Sequence, residues 1–267
     1  TYTNTGWTTC QWAATETGDL PGYVTAFDKV YDAIKNRPHL PIMLGPESQD
    51  IPTYAAFANL LEDKAHCGML GYHPYNINAN TTASATITSL QGIGAIDAKP
   101  NLMTEFSDNL DWFKTANFIQ HSLIHANSSG YIYWKLAWAT PSSGEDHAMI
   151  STTNNSSTYT VTPYYHLIKH FSKNIDAGYH RVDATSANVN ISVSAFLNPS
   201  GTQVTVILIN NSAGEINVDL KATGKTISAI SAVQSKVGSY YVSVPELSPS
   251  KPVALTAQSI TTVVLDL

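Results

Sequence analysis

Four short segments carry the residues that could do chemistry. "NLMTEFSDN" (101–109) sets Glu105 directly after an apolar run, where a buried strand would stay apolar. Taking a carboxylate out of water is costly unless it is paired or used, so Glu105 calls for a function. "CGMLGYHPY" (67–75) ends in His73 and Tyr75, "YIYWKLAW" (131–138) holds Trp134 with Lys135, and "PIMLGPES" (41–48) ends in Glu47 with Ser48. Taken singly, each has a bland reading. Glu105 could cap the next helix, His73 and Tyr75 could be satisfied core residues, Trp134 could be plain packing, and "GPES" could start a helix. Together they form a set of carboxylate, imidazole and aromatic groups at the ends of short apolar runs. Trp and Tyr present flat apolar faces with polar edges, which suits a site for sugar rings.

The elements that must position these residues follow a pattern. Apolar residues at helical spacing mark "YVTAFDKVYDAIK" (23–35), "YAAFANLLED" (54–63) and "TANFIQHSLIHA" (115–126), and the segment 81–96 is expected to hold a further helix. Between them lie the four short apolar runs, each read as a buried strand. Strand and helix in alternation mean βαβ units and a parallel sheet. "PYYHLIKHFSKNI" (163–175) reads as a joining helix, and "STTNNSSTYT" (151–160) as a polar loop. Beyond about residue 176 the chain turns to short alternating runs such as "NISVSAF", "TQVTVILIN" and "SITTVVLDL", expected to form an antiparallel β domain. The expected domains are therefore 1–175, α/β, and 176–267, a β-sandwich. In a βα barrel the residues that act on substrate stand at the carboxyl ends of the strands, which is where the four segments place theirs.

Composition narrows the partners. The 267 residues carry 14 Lys+Arg against 20 Asp+Glu, a net charge of −6, and contain no basic run, so the electrostatic footprint of a nucleic-acid binder is missing. No run of 18 apolar residues exists, and no membrane span or membrane partner is expected. Only 13% of residues are charged, the polarity coming from Ser, Thr, Asn and Tyr as in many secreted proteins. Sequons at Asn80, Asn127, Asn154, Asn155, Asn190 and Asn210 are candidate glycosylation sites. Cys10 and Cys67, the two cysteines, fit one disulfide in an oxidising compartment, two free buried thiols being the alternative.

In order along the chain, "MLGPES", "GYHPY", "LMTEFSDN", "YIYWKLAW", "PYYHLIKHFSKNIDAGYHRVDAT" and "LTAQSITTVVLDL" resemble the later part of glycoside hydrolase family 30, in particular its endo-β-1,4-xylanase branches of fungal type. The resemblance implies the C-terminal half of a (β/α)8 TIM barrel, strands five to eight, with a β-sandwich at its side. It implies a secreted, monomeric, retaining hydrolase of plant cell-wall xylan, with no metal or other cofactor. By the same resemblance Glu105 is the nucleophile, His73 and Tyr75 surround it, and Trp134 floors the sugar site. Trp7, expected with them to bind substrate, belongs to "TYTNTGWTTCQW", which resembles the segment following the family's acid/base Glu. That second carboxyl, roughly 5–5.5 Å from the nucleophile in retaining enzymes, is expected just before Thr1, along with the rest of the barrel and one sandwich strand. The missing half of the enzyme, possibly a separate chain, is thus an expected partner beside the polysaccharide. Glu47 is set aside as acid/base, because the family has Pro-Glu-Ser there without using it so. A β-1,6-glucanase of the same family and a non-catalytic polysaccharide-binding protein are the rival readings.

Overall fold

The computed structural model describes residues 12–96, 99–107, 110–139, 147–152 and 157–267. The chain forms two compact units, Thr1–Asn109 with His121–Trp134, and Leu110–Gln120 with Lys135–Leu267. The boundary expected from the sequence, 175/176, does not coincide with this division.

The first unit holds a parallel sheet of β1 (Met43–Ser48), β2 (Cys67–Tyr72), β3 (Asn101–Phe106) and β4 (Gly130–Tyr133), in that spatial order. Helices α1 (Tyr23–Ile34), α2 (Ile51–Leu61) and α3 (Ala83–Gly94) alternate with the strands, and α4 (Trp112–His125) precedes β4. Helices α2 and α3 start at side-chain caps. Asp50 accepts from the Thr53 amide at 2.8 Å and Thr82 from the Ala85 amide at 3.2 Å, each satisfying an orphan donor of the first turn. "GPES" therefore belongs to β1, and α2 begins only at Ile51, behind the Asp50 cap.

Register divides the sheet residues between two faces. Gly45, Leu70, Tyr72, Asn101, Met103, Tyr131 and Tyr133 lie on the face that packs on the helices, where Tyr54 of α2 meets Tyr72 edge to face at 5.8 Å. Tyr54, Leu61, Leu70, Tyr72, Leu90, Ile93 and Met103 are wholly buried there. Each contributes roughly 1.5–3 kcal/mol of burial. The opposite face carries Leu44, Met69, Gly71, Leu102, Gly130 and Ile132. It is poorly covered: Ile132 is 55% exposed, and Ile42, just before β1, is 72% exposed.

In the second unit, β5 (Ala137–Ala139), β6 (Ile150–Thr152) and β7 (Tyr159–Val161) make a small sheet, followed by α5 (Pro163–Ser172). "YIYWKLAW" is thus not one strand. The Met149 amide bonds to the Lys135 carbonyl (3.1 Å) and the Ile150 amide to the Leu136 carbonyl (2.8 Å), so the chain after Trp134 takes a new partner, β6. Similarly "STTNNSSTYT" is flanked by paired strands, Ile150 opposite Val161, rather than being loop throughout. Strands β8 (His180–Val182), β9 (Ile191–Leu197), β10 (Gln203–Asn210), β12 (Ala229–Lys236), β13 (Ser239–Ser243) and β15 (Ser259–Asp266) form an antiparallel sheet ordered β13-β12-β15-β10-β9-β8. A two-stranded sheet, β11 (Ile216–Val218) with β14 (Val253–Leu255), completes the β domain. Val206, Leu208, Val253, Leu255, Val263 and Leu265 form its core. On the other face of the six-stranded sheet, Gln120 donates to the Ile207 carbonyl and accepts from Ser194.

Among the described residues no helix is long and apolar enough to cross a membrane, and no three His, Cys, Asp or Glu side chains converge as a metal site.

Candidate active site

Strict alternation would place Glu47 and Glu105 wrongly. Gly45 and Met103 face the helices, so residues 47 and 105, two further on, would do the same in regular strands. Both strands are irregular at that point. β1 pairs Pro46 with Gly71 and then Ser48 with Tyr72, leaving Glu47 as an extra residue, and β3 shifts register between Met103 and Phe106. A shift of one residue exchanges faces, and bulges are a common means of re-aiming a side chain at a site. Both carboxylates are thereby delivered to the open face, at the carboxyl ends of their strands.

Glu105 accepts a hydrogen bond from the Tyr75 hydroxyl at 3.0 Å. The Tyr75 ring packs on two others, tilted on Phe106 at 5.5 Å and edge to face with His73 at 6.2 Å. His73 is paired with a second carboxylate. Its side chain, 4% exposed, pairs through Nε2 with Glu47 Oε2 at 3.0 Å. Glu47 adopts a left-handed backbone, φ 54°, and Gly71 beneath it leaves the room it needs. A Cβ at Gly71 would collide with Glu47 Oε1 and approach Leu44 Cδ2 to 2.8 Å. Sequence reasoning set Glu47 aside; the signal was a carboxylate at the end of an apolar run in the strand beside the His73 strand.

Trp134 follows β4, its amide bonded to the Phe106 carbonyl at 3.2 Å, and is 42% exposed, so its ring is accessible beside the end of β3. Behind the sheet, burial pushes the Tyr72 hydroxyl up to about 12 and the Tyr131 hydroxyl well above its ordinary value, keeping both neutral. Tyr72 bonds Ser128, which donates to Asn101, which in turn donates to the Ala126 carbonyl. This network ties the sheet together away from the site.

Trp7, Cys10, Asn154 and Asn155 lie outside the described residues. Cys67 is a buried free thiol that donates to the Met69 carbonyl at 3.2 Å, its ionisation disfavoured by desolvation. Asn80, Asn127 and Asn190 are exposed. Asn210 is not a glycan acceptor in this fold. It is fully buried, and its Nδ2 donates to the carbonyls of Gly214, Leu255 and Thr256, which makes it a structural clamp between β10 and the end of β14.

Residues 178–263 match the sequence model of the glycosyl hydrolase family 30 beta sandwich domain. No curated protein resembles the sequence closely enough to count as a match. Among solved structures, a family 30 endoxylanase from Clostridium papyrosolvens superposes with a TM-score of 0.70 at 19% identity, over 93% of this chain and 62% of its own. For the family 30 subfamily 8 xylanase of Clostridium acetobutylicum the values are 0.70, 22%, 96% and 65%. An endo-β1,6-glucanase superposes at 0.55 and 16% identity, over 80% of this chain and 45% of its own. The chain spans less than two thirds of the length of each of these three proteins, and it shares their fold over that part.

Proposed function

We propose that this chain is the C-terminal part of a secreted, retaining glycoside hydrolase that cleaves β-1,4-xylan, with Glu105 as nucleophile. The observation that carries the reading is the Tyr75–Glu105 hydrogen bond at a bulge on the open face of a parallel sheet. A hydroxyl donor holds the carboxylate in one rotamer, ready to attack an anomeric carbon. Double displacement needs a second carboxyl to protonate the leaving oxygen and then activate water, and in this proposal it comes from polypeptide preceding Thr1.

The exposed apolar face supports the same reading. Parallel sheets are ordinarily covered on both faces, and Ile42 and Ile132 would be covered by the remaining strands of a (β/α)8 barrel, of which β1 to β4 are strands five to eight. In the β domain a groove of about 730 Å³, lined by Val193, Val204, Val206 and Leu265, leaves room for the additional sandwich strand. Trp134 supplies the platform for a sugar ring. A secreted enzyme of this type would carry glycans at exposed sequons such as Asn80, Asn127 and Asn190.

A β-1,6-glucanase is the second reading, favoured by the fold shared with the endo-β1,6-glucanase. The test measures reducing sugar released from beechwood xylan and from a β-1,6-glucan, together with the intact mass of the active species. Xylan cleavage that Glu105→Gln abolishes, by a species heavier than this chain, supports the proposal. Cleavage of the glucan alone assigns the second reading, and unchanged xylanase activity in Glu105→Gln refutes the nucleophile.

A further inference from the structure

Glu47 is the group that the proposed reaction leaves without a task, yet the fold goes to some lengths to place it. It stands in a left-handed conformation, which is strained for a non-glycine residue. It occupies a bulge that turns it from the helix-packed face to the open one, and it depends on a missing Cβ at Gly71. Strain and irregularity of this kind persist where the surrounding structure enforces them for a purpose. The carboxylate so delivered lies 3.0 Å from the Nε2 of His73, and His73 itself is almost wholly buried. The His73 ring stands edge to face against Tyr75, whose hydroxyl holds Glu105.

We propose that Glu47 is a positioning residue for the nucleophile, acting through His73 and Tyr75 on the orientation of Glu105. The proposal rests on the glycosidase reading. Glu47 fixes the His73 ring by accepting from its Nε2–H. The His73 ring and Phe106 both pack on Tyr75, and the Tyr75 hydroxyl is thereby held 3.0 Å from Glu105 Oε1. Glu47 touches no reacting atom in this scheme, so its loss lowers turnover rather than substrate affinity. A side chain that can still accept from Nε2–H, such as an amide, keeps most of the effect.

The experiment is steady-state hydrolysis of an aryl β-xylobioside by the polypeptide expressed with its natural preceding sequence. The proteins compared are the wild type, Glu47→Ala, Glu47→Gln, Tyr75→Phe and the double variant Glu47→Ala/Tyr75→Phe, with thermal melts to confirm folding. Small misplacements of a reacting group cost up to about a hundredfold, so kcat of Glu47→Ala is expected to fall by at least about tenfold with KM little changed. Glu47→Gln should recover most of that loss. In the Tyr75→Phe background, Glu47→Ala should add less than about threefold, because residues acting in series do not add. Wild-type turnover in Glu47→Ala overturns the proposal, as does an equal loss in both backgrounds, or Glu47→Gln as impaired as Glu47→Ala. Full activity in a Glu105→Gln control overturns the assignment of Glu105 as nucleophile, and the positioning role with it.

Discussion

Acidification should unlock α5 from the β domain through a single histidine. His170, on α5, is fully buried, and its ring nitrogens meet Thr262 Oγ (2.8 Å) and Ser235 Oγ (2.7 Å). The network fixes the tautomer. Thr262 donates its own proton to the His170 carbonyl at 2.9 Å and so accepts from Nδ1–H; Ser235 accepts the Tyr241 amide at 2.6 Å and gives its proton to Nε2. A second ring proton would face the Ser235 hydroxyl as donor against donor. Burial lowers the His170 pKa from 6.5 to about 3, with His166 and Lys169 adding like charge. The folded state then binds fewer protons than the unfolded chain below pH 6.5, so the stability is complete above that pH and is lost as pH falls toward 3. At 1.36 kcal/mol per pH unit, the loss is about 2 kcal/mol by pH 5 and approaches 5 kcal/mol at the limit. His170→Gln cannot titrate, and leaves a buried partner unsatisfied at a cost of roughly 1–3 kcal/mol at pH 7. Urea unfolding of both proteins from pH 7 to pH 4, followed by circular dichroism, should show the wild type ahead at pH 7. The gap should close by about 2 kcal/mol at pH 5, and the order should reverse below it. A gap that stays constant from pH 7 to pH 4 refutes the locked neutral histidine.

Further predictions concern the site and its supports. Tyr75→Phe keeps the ring contact with Phe106 but removes the hydroxyl from Glu105, and kcat on xylan should fall about ten- to a hundredfold with an unchanged melting temperature. Gly71→Ala forces a Cβ against Glu47 and Leu44, so urea denaturation should register a loss of roughly 1–3 kcal/mol. Asn210→Ala strands three carbonyls, one of them, that of Leu255, on a fully buried residue; it should cost roughly 2–4 kcal/mol in the same assay and leave the glycan mass unchanged. Trp134→Ala should weaken binding of xylooligosaccharides in calorimetry by roughly 1–3 kcal/mol.

The sequence made the strand and helix order legible because each parallel strand is a short apolar run and each helix has its own period. The ends of those runs pointed to Glu105, His73, Tyr75 and Trp134 for the same reason. Two things escaped it. Alternation cannot show a bulge, since one extra residue in a strand of six leaves the apolar pattern nearly intact while moving every later side chain to the other face. Glu47, given as bland reading the start of a helix and set aside as acid/base on the family's Pro-Glu-Ser, was left out of the site, and its pairing with His73 was missed. Nor can an apolar run show a change of partner, so "YIYWKLAW" read as one strand although the backbone leaves the parallel sheet at Trp134 and joins β6. The Asn210 sequon failed differently: a three-residue motif carries no information on burial, and here the amide is enclosed by carbonyls.

The central claim is that Glu105 forms the covalent glycosyl-enzyme. A 2,4-dinitrophenyl 2-deoxy-2-fluoro-β-xylobioside tests it directly, because dinitrophenolate departs without a proton donor and the fluorine slows release of the trapped sugar. Peptide mapping by mass spectrometry after incubation should find the fluoroxylobiosyl group on the peptide containing Glu105, and none in Glu105→Gln. Label on another carboxylate, with Glu105 untouched, would contradict the account.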